Sequence, residues 1–294
     1  MADLALLVLT LFWGTTFLLV NRVLGVASPG VFLAARFGLA ALALAPVALW
    51  RRDRVGPGFL RHGILLGLFM LGGFALQTHG LAYTTPSRSG FITGLSVVIV
   101  PFVARFFLKK RVRPAYWVGA ALAVVGLAVL TRLYSDGISS AVRLGDLLTL
   151  GCALVFTLQI VFVSEWAPLH PLAPLVLVQV LVTFAGALAM LPFEQARLDP
   201  AGMGTFLPTV AFTGLAMTAA AFFVMNWAQR RTTAVRAALI YSLEPVAAAL
   251  FSHLVGGETL GVADWTGGGL IVLGVLVGEL GGAWEDRAAL TGSP

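Results

Sequence analysis

The chain has 294 residues, of which 59% are hydrophobic and only 11% are charged, and its formal net charge is +6. Soluble domains carry about 25% charged residues, so this composition excludes an ordinary soluble domain and predicts an integral membrane protein. A membrane-spanning helix needs about 20 apolar residues. Because apolar runs of that length follow one another along the whole chain, the sequence predicts an all-α membrane protein with ten transmembrane helices.

The predicted helices are separated by short polar or proline-containing segments. They cover about 3–23, 30–50, 62–83, 86–107, 113–132, 145–166, 172–193, 205–227, 233–255 and 262–283, and a cytoplasmic tail is expected over 284–294. Prolines near several starts fit this division, because the first turn of a helix does not need the N–H that proline lacks. Met1–Asp3 carries an acid where a signal peptide would be basic, so we expect the first helix to be retained.

The basic residues fall in clusters between alternate pairs of predicted helices. These clusters are Arg51, Arg52, Arg54 and Arg61; Lys109, Lys110, Arg111 and Arg113; and Arg230 and Arg231. Cytoplasmic loops are enriched in Lys and Arg, so we expect these loops and both termini in the cytoplasm, with the chain in the cell inner (plasma) membrane. Since no basic strand with interleaved aromatic residues accompanies the charge, we expect no nucleic acid partner.

The two halves of the sequence share an ordered set of residues. A shift of 144 residues pairs Pro101 with Pro245, and a shift of 148 residues pairs Trp117 with Trp265, Gly119 with Gly267 and Gly126 with Gly274. The predicted halves, residues 1–134 and 145–283, hold five helices each. Because five is odd, the second half must enter the membrane in the opposite orientation. The sequence therefore predicts two inverted five-helix repeats, an arrangement typical of secondary transporters.

Two membrane-length stretches, Ser87–Val112 and Thr232–Leu260, carry a proline near the middle. Proline removes a helix hydrogen bond, so Pro101 and Pro245 are predicted hinges. Glu244 directly precedes Pro245, and an acid at bilayer depth should face protein or water rather than lipid. The sequence leaves open whether Glu244 couples protons to transport or only braces the kink.

Several predicted helices carry polar and aromatic groups at depth, which a translocated solute needs in exchange for its hydration. The candidate substrate-binding residues are Trp13, His79, Tyr83, Thr93, Gln159, Asn226, Tyr241 and Glu244. On the third helix, His79 and Tyr83 share a face, whereas Gln77 points elsewhere. His79 could relay protons or make a structural hydrogen bond. Arg36 is expected to extend its guanidinium to the outer interface.

Three stretches resemble EamA-type carriers of the drug/metabolite transporter superfamily. They are Leu11–Pro46, with Trp13, Gly14, Pro29 and Arg36; Gly80–Phe107; and Tyr241–Leu260, with Glu244, Pro245 and Glu258. The resemblance implies a ten-helix carrier that exports amino acids or related metabolites. Within the family, the chain is similar to the YddG-like exporters of aromatic amino acids. It departs from the family pattern at Lys110, where a glutamate is usual before the fifth helix.

The sequence thus predicts a secondary transporter that exports neutral or aromatic amino acids, or related small metabolites, by alternating access. Carriers of sugar-nucleotide-like or lipophilic compounds are the alternatives, followed by a channel. No enzyme is expected, because neither H-E-x-x-H nor G-x-S-x-G occurs. Four His residues and one Cys, Cys152, are scattered, so neither a metal nor a cofactor is expected.

The expected partners are a small-molecule substrate and the lipid bilayer. A stripe of small residues on the last predicted helix, Gly274, Gly278 and Gly282, is of the kind that lets two helices approach closely in a membrane. The protein is accordingly expected to be a monomer or a weak homodimer.

Overall fold

The structure is a computed structural model that describes residues 1–50, 55–84, 86–130, 140–256 and 259–291. Every regular element in these ranges is helical, and β pairing is limited there to an isolated antiparallel bridge between Ala27 and Leu198. The predicted all-α class is therefore confirmed. Arg51, Arg52, Arg54, Glu258 and the predicted end of the first half at residue 134 lie outside the described residues.

The first part of the chain forms seven α-helices in the described ranges. They are α1 (Ala2–Gly14), α2 (Thr16–Leu24), α3 (Pro29–Trp50), α4 (Phe59–Leu81), α5 (Pro86–Gly94), α6 (Ser96–Phe102) and α7 (Pro114–Leu130). The second part adds α8 (Ser140–Trp166), α9 (Leu172–Met190), α10 (Met203–Ala211), α11 (Ala221–Gln229), α12 (Ala234–Tyr241), α13 (Glu244–Gly256) and α14 (Val262–Thr291). π-Helical turns, Val103–Phe107 and Phe212–Ala220, follow α6 and α10.

Six helical stretches of the described residues are long and apolar enough to cross a membrane. They are Ala2–Leu24, Pro29–Trp50, Phe59–Leu81, Arg143–Leu169, Leu172–Phe193 and Pro200–Gln229. Shorter apolar helices cover Ile92–Phe107, Pro114–Val129 and Trp265–Gly278. A multi-pass membrane protein follows from these lengths, whereas the number of ten crossings stays a prediction.

Two of the predicted membrane-length helices are broken near their middles. The break between α5 and α6 falls at Leu95, before Pro101, and the break between α12 and α13 falls at Ser242 and Leu243. Pro245 is the second residue of α13, where its missing N–H costs little. Pro101 lies inside α6 and precedes the π-helical turn. The helix break thus precedes Pro101, and the hinge role of Pro101 and Pro245 stays a prediction.

A further helix break lies at Thr15, between α1 and α2. The hydroxyls of Thr15 and Thr16 donate hydrogen bonds to the carbonyls of Phe12 (2.7 Å) and Trp13 (2.8 Å), so polar groups are satisfied locally where the helix is interrupted. At the other end of the chain, α14 continues to Thr291. Most of the predicted tail over 284–294 is thus helical.

Many of the helices pack in two groups. In the first group, α4, α5 and α6 pack along α8; in the second, α1 packs against α11, α12 and α13. Outside these groups, α3 packs on α9, and α7 packs on α14. Because each group draws helices from both halves of the sequence, the space between the groups is lined by both halves.

The contact between α7 and α14 depends on glycine. A Cβ atom added to Gly119 would lie 2.5 Å from the carbonyl oxygen of Gly274, and one added to Gly126 would lie 2.6 Å from that of Gly267. A Cβ on Gly278 would meet Leu239 of the same chain at 2.2 Å. Gly274 and Gly278, which were considered for a homodimer, thus pack against helices of their own chain.

Candidate functional site

A cavity of about 90 Å³ lies between the two helix groups. Its wall contains aromatic rings and two residues of opposite charge. These residues are Trp13, Phe17, Phe74, Phe156, Phe222 and Tyr241, together with Arg36 and Glu244. The helix breaks at Thr15, Leu95 and Ser242–Leu243 all lie close to wall residues in the sequence. The cavity is therefore the place where interrupted helices, aromatic surface and charge coincide.

Trp13 forms the aromatic centre of the wall. It is the next-to-last residue of α1, and its indole Nε1 donates a hydrogen bond to the carbonyl of Met217 (3.3 Å). The centre of its ring lies 5.7 Å from the ring centres of both Phe222 and Tyr241. This geometry fixes an aromatic surface that can receive an apolar or aromatic side chain.

Arg36 is held inside the protein, with only 4% of its surface exposed. Its Nε donates to the hydroxyl of Thr218 (2.7 Å), its Nη2 donates to the carbonyl of Met217 (3.4 Å), and its guanidinium carbon lies 4.6 Å from the ring centre of Phe74. The expectation that Arg36 extends to the outer interface is thus wrong. The guanidinium is a positioned cation in the cavity wall, with donors beyond the two that are used.

Glu244 supplies the opposite charge of the wall. It is the first residue of α13, where a carboxylate is favoured by the helix dipole. The break before it allows the chain to approach α1 closely, because a Cβ on Gly14 would lie 2.7 Å from the carbonyl oxygen of Glu244. Glu244 therefore sits at a helix N-terminus that is packed tightly against the helix carrying Trp13.

Three buried amides form a hydrogen-bonded relay behind the wall. Asn226 Nδ2 donates to the carbonyl of Phe222 (2.9 Å), Gln179 Nε2 donates to Asn226 Oδ1 (3.1 Å), and Gln159 Nε2 donates to Gln179 Oε1 (3.1 Å). All three side chains are at most 2% exposed. Among them, only Gln159 lines the cavity.

The orientation of the three amides follows from the carbonyl of Phe222, which accepts the first hydrogen bond of the relay. A backbone carbonyl can only accept, so Asn226 must turn its NH₂ towards Phe222 and its oxygen towards Gln179. Gln179 must then donate its NH₂ to Asn226, and Gln159 must donate its NH₂ to Gln179. Gln159 Oε1 is left as an acceptor without a partner, and the hydroxyl of Tyr241 is likewise buried and unpartnered within the described part of the chain. The cavity wall thus offers hydrogen-bonding groups that no described residue engages.

Thr93 joins the wall through a neighbouring polar contact. Its hydroxyl accepts a hydrogen bond from Gln77 Nε2 (3.4 Å) and lies 4.0 Å from Cys152 Sγ. Gln77 and Thr78 line the cavity, although the sequence favoured His79 and Tyr83 over Gln77. The signal for the correct face was present, because Phe74, Gln77, Thr78 and Leu81 recur at the helical spacing of three and four residues.

His79 and Tyr83 lie outside the cavity wall. His79 Nδ1 donates to the carbonyl of Ala75 (2.9 Å), and its Nε2 lies 3.4 Å from Glu194 Oε2. Glu194 Oε1 accepts from the hydroxyl of Ser28 (2.9 Å) and the N–H of Gly30 (2.9 Å). Tyr83 is 49% exposed. The contacts of Glu194 thus join its own segment to the start of α3 and to α4.

A second cluster lies at the start of α4, whereas His79 lies near the end of that helix. The ring of His62 stacks on Trp166, with ring centres 4.5 Å apart, and its Nδ1 shares a 2.8 Å hydrogen bond with Nε2 of His170. Arg230 donates to the carbonyl of His170. Burial, followed by the charges of His62 and Arg230, lowers the pKa of His170 below its usual value. No group of three or more potential metal ligands occurs among the residues that the structure describes.

The comparisons with known proteins agree with this architecture. The EamA-like transporter family matches residues 1–132 and 143–278. An uncharacterized transporter of Archaeoglobus fulgidus is 32% identical over 95% of this chain and 86% of its own length. The uncharacterized inner membrane transporter YedA of Escherichia coli K12 is 27% identical over 94% of this chain and 90% of its own. A solved structure titled "Crystal structure of protein" has a TM-score of 0.77 at 23% identity and covers 95% of this chain and 97% of that one.

Long apolar helices packed around a charged cavity define a helical membrane transporter. The chain belongs to the EamA-like transporter family, and with it to the drug/metabolite transporter superfamily.

Proposed function

We propose that the protein is a secondary carrier of the inner membrane that exports neutral amino acids, including aromatic ones, or closely related zwitterions by alternating access. The observation that carries the proposal is the placement of Arg36 and Glu244 in the wall of one aromatic cavity. The location in the inner membrane is supported by the Escherichia coli relative, which is named an inner membrane transporter. The class of cargo is supported by the residues of the cavity wall.

A zwitterion matches the charges of this wall. Burying an ion costs free energy unless the ion gains a partner. A guanidinium pairs with a carboxylate, and a carboxylate pairs with an ammonium group, so Arg36 and Glu244 can receive the two charges that an amino acid carries. Gln159 Oε1 adds an acceptor for the ammonium group. The rings around Trp13 favour a large apolar or aromatic side chain.

The same wall disfavours the other cargo classes. A sugar nucleotide carries several negative charges, and Arg36 is the sole basic residue among the described residues that line the cavity. A channel needs a continuous polar pore, whereas the wall of this cavity of about 90 Å³ is formed largely by aromatic and apolar side chains. We therefore propose a carrier rather than a channel.

We further propose ten membrane crossings in two inverted halves. Three crossings are interrupted helices, formed by α1 with α2, α5 with α6, and α12 with α13, and a fourth joins α10 to α11 through the π-helical turn Phe212–Ala220. The glycine contacts of α7 and α14 support a two-fold relation between the halves. A shift of 148 residues converts the contact of Gly119 with Gly274 into that of Gly267 with Gly126. Such reciprocity is expected of an antiparallel pair on a pseudo-two-fold axis.

The packing suggests which bodies move. Rocking of one five-helix half against the other would separate α4 from α8, yet these helices form one of the most extensive contacts in the molecule. Rocking of the first group, α4–α6 with α8, against the second group together with α2 and α10 keeps the α4–α8 contact. It parts the smaller contacts of α12 with α6 and α8 and of α13 with α5, and opens the cavity. We propose Pro101 and Pro245 as hinge positions within these groups, next to the π-helical turn and the break.

Counterflow in proteoliposomes tests the proposed function. Vesicles loaded with an unlabelled neutral amino acid should accumulate the radiolabelled form, saturably, and Arg36→Gln and Glu244→Gln should each lower the initial rate of accumulation at least tenfold. Sugar nucleotides and lipophilic cations serve as alternative cargo in the same assay. Failure of every neutral amino acid, or an ohmic current without saturation, would contradict the proposal.

A further inference from the structure

A second cavity, of about 450 Å³, opens at the end of the bundle that carries the basic loops. Its wall is formed by the π-helical turn after α6 and the loop that follows it, the end of α8 and the start of α12. It shares none of the described lining residues of the central cavity. We propose that it binds a phosphate-type oxyanion, supplied either by the headgroup of an anionic lipid or by a soluble phosphate compound. This proposal does not depend on the cargo of the central cavity.

The charge of the wall is strongly positive. Five basic residues line it, whereas Glu165 is the one acid among the described lining residues; the basic residues are Lys110, Arg111, Arg113, Arg231 and Arg236. Lys110 donates to Glu165, and Arg236 Nη2 lies 3.2 Å from Asp3 Oδ2. Arg111 and Arg231 form no ion pair within the described part of the chain. These two cations are therefore the ones that an anion in the cavity would meet.

Hydrogen-bond donors face the same space. Ser164 and Thr232 both line the cavity, and their hydroxyl oxygens are buried without a partner within the described part of the chain. The first residues of α12, Ala234 and Val235, also line it, and the first N–H groups of a helix have no partner within the helix. The Thr233 hydroxyl caps the start of α12 by accepting from the N–H of Arg236 (3.2 Å).

These groups form the set that recognises phosphate. A helix N-terminus favours an anion, guanidinium groups bind phosphate oxygens, and hydroxyls donate to the remaining lone pairs. Arg231 is oriented for this role, because its Nη1 donates to the carbonyl of Trp227 (2.7 Å) and its guanidinium carbon lies 4.6 Å from that ring centre. A neutral or zwitterionic ligand would leave the positive charge unbalanced. Both an anionic headgroup and a soluble phosphate can reach the membrane surface where the basic loops lie.

Binding to the full-length purified protein tests the proposal without reference to transport. The unfolding midpoint in detergent is measured during titration with inorganic phosphate and pyrophosphate, against chloride at equal ionic strength. Native mass spectrometry then compares retention of phosphatidylglycerol and phosphatidylcholine. Wild type should bind at least one phosphate species, and Arg111→Gln/Arg231→Gln should weaken that binding at least tenfold.

Two further variants separate a built site from general charge. Arg22→Gln/Arg143→Gln removes the same charge from exposed positions elsewhere on the molecule and should leave binding unchanged. Ser164→Val/Thr232→Val keeps all charges and should weaken binding severalfold. Response to phosphatidylglycerol alone assigns the site to lipid, and response to phosphate or pyrophosphate assigns it to a soluble ligand. No binding in wild type, or equal losses in both arginine variants, would overturn the proposal.

Discussion

Arg36 is placed in the cavity wall by contacts from distant segments, namely Thr218, Met217 and Phe74. Arg36→Gln should lower kcat/KM for amino acid counterflow at least tenfold, because a hydrogen bond to a charged group contributes about 1.5–3 kcal/mol. The inhibition of counterflow by an amine that lacks the carboxylate should be nearly the same in Arg36→Gln as in wild type, because such an amine has no group for Arg36 to bind. Arg197→Gln, at an exposed arginine, is the control. Equal loss of inhibition by the amine would show that Arg36 acts on structure alone.

The relay residues Asn226 and Gln179 do not line the cavity, yet they orient Gln159, which does. Asn226→Leu should remove the anchor at the Phe222 carbonyl and let the amide of Gln159 present either its oxygen or its NH₂. The preference for an amino acid over the matching 2-hydroxy acid should then fall about tenfold, as the loss of one charge-assisted hydrogen bond requires.

The ratio of KM values for the two compounds measures this effect, with Thr209→Val as the control. Thr209 is also buried and bonds only the carbonyl of Thr205, one turn earlier. A role of Asn226 in packing alone would raise both KM values equally. That result would contradict the relay.

The sequence predicted many residues of the cavity wall but did not predict that Arg36 belongs to it. Trp13, Thr93, Gln159, Tyr241 and Glu244 line the cavity, because polar and aromatic groups at depth have few other reasons to be there. The position of Arg36 depends on partners about 180 residues away in the chain, which composition does not reveal. The face of the third predicted helix was misjudged because helical spacing fixes which residues share a face, but not which face meets the other helices.

Among the elements, α7 and α14 provide the clearest test of close packing. Gly126→Ala should lower the thermal unfolding midpoint, because the new methyl group would lie 2.6 Å from the carbonyl oxygen of Gly267 and 2.8 Å from the backbone nitrogen of Ile271. Overpacking of this kind costs about 1–3 kcal/mol.

Gly269→Ala on α14 is the matched control, because nothing lies within 4 Å of the methyl group that it adds. Alanine favours helix over glycine by about 1 kcal/mol, so this change should be neutral or slightly stabilising. Similar losses in both variants would show that the glycines matter for something other than the contact between the two helices.

The interrupted helices show how far local sequence reaches at this scale. Pro245 stands directly after a break, as proline near a helix start should. The breaks at Leu95 and Thr15 each directly follow a glycine, Gly94 and Gly14, where a helix ends. Glycine is about 1 kcal/mol less favourable than alanine inside a helix.

For the molecule as a whole, the cluster of His62, His170 and Arg230 predicts a pH-dependent stability. The pKa of His170 is lowered in the folded state, so the unfolded chain takes up a proton first as the pH falls. Stability from this residue is fully present above about pH 6.5 and declines below it.

Thermal unfolding between pH 5 and 8 measures the effect. His170→Asn should flatten the dependence below about pH 6.5 relative to wild type, while the His79→Asn variant, near the end of α4 away from His62, serves as the control for loss of a histidine. Parallel curves for wild type and His170→Asn would refute this contribution.

Composition alone identified a helical membrane protein, and the family followed from short stretches along the chain. The number of ten crossings stays a prediction, because the helices on either side of the breaks at Leu95 and Ser242–Leu243 are too short to be recognised as crossings by length. What the whole molecule adds is the mixing of both halves in each packed group, which the linear repeat does not show.

The alternating movement of the two groups can be measured directly by electron–electron distance spectroscopy. In a Cys152→Ala background, one spin-label pair replaces the exposed residues Leu60 and Thr233, and a second pair replaces Arg22 and Leu144 at the opposite end. We predict that the two distance distributions shift in opposite directions when a transported amino acid is added. Distances that stay fixed, or that lengthen together at both ends, would contradict an alternating-access carrier.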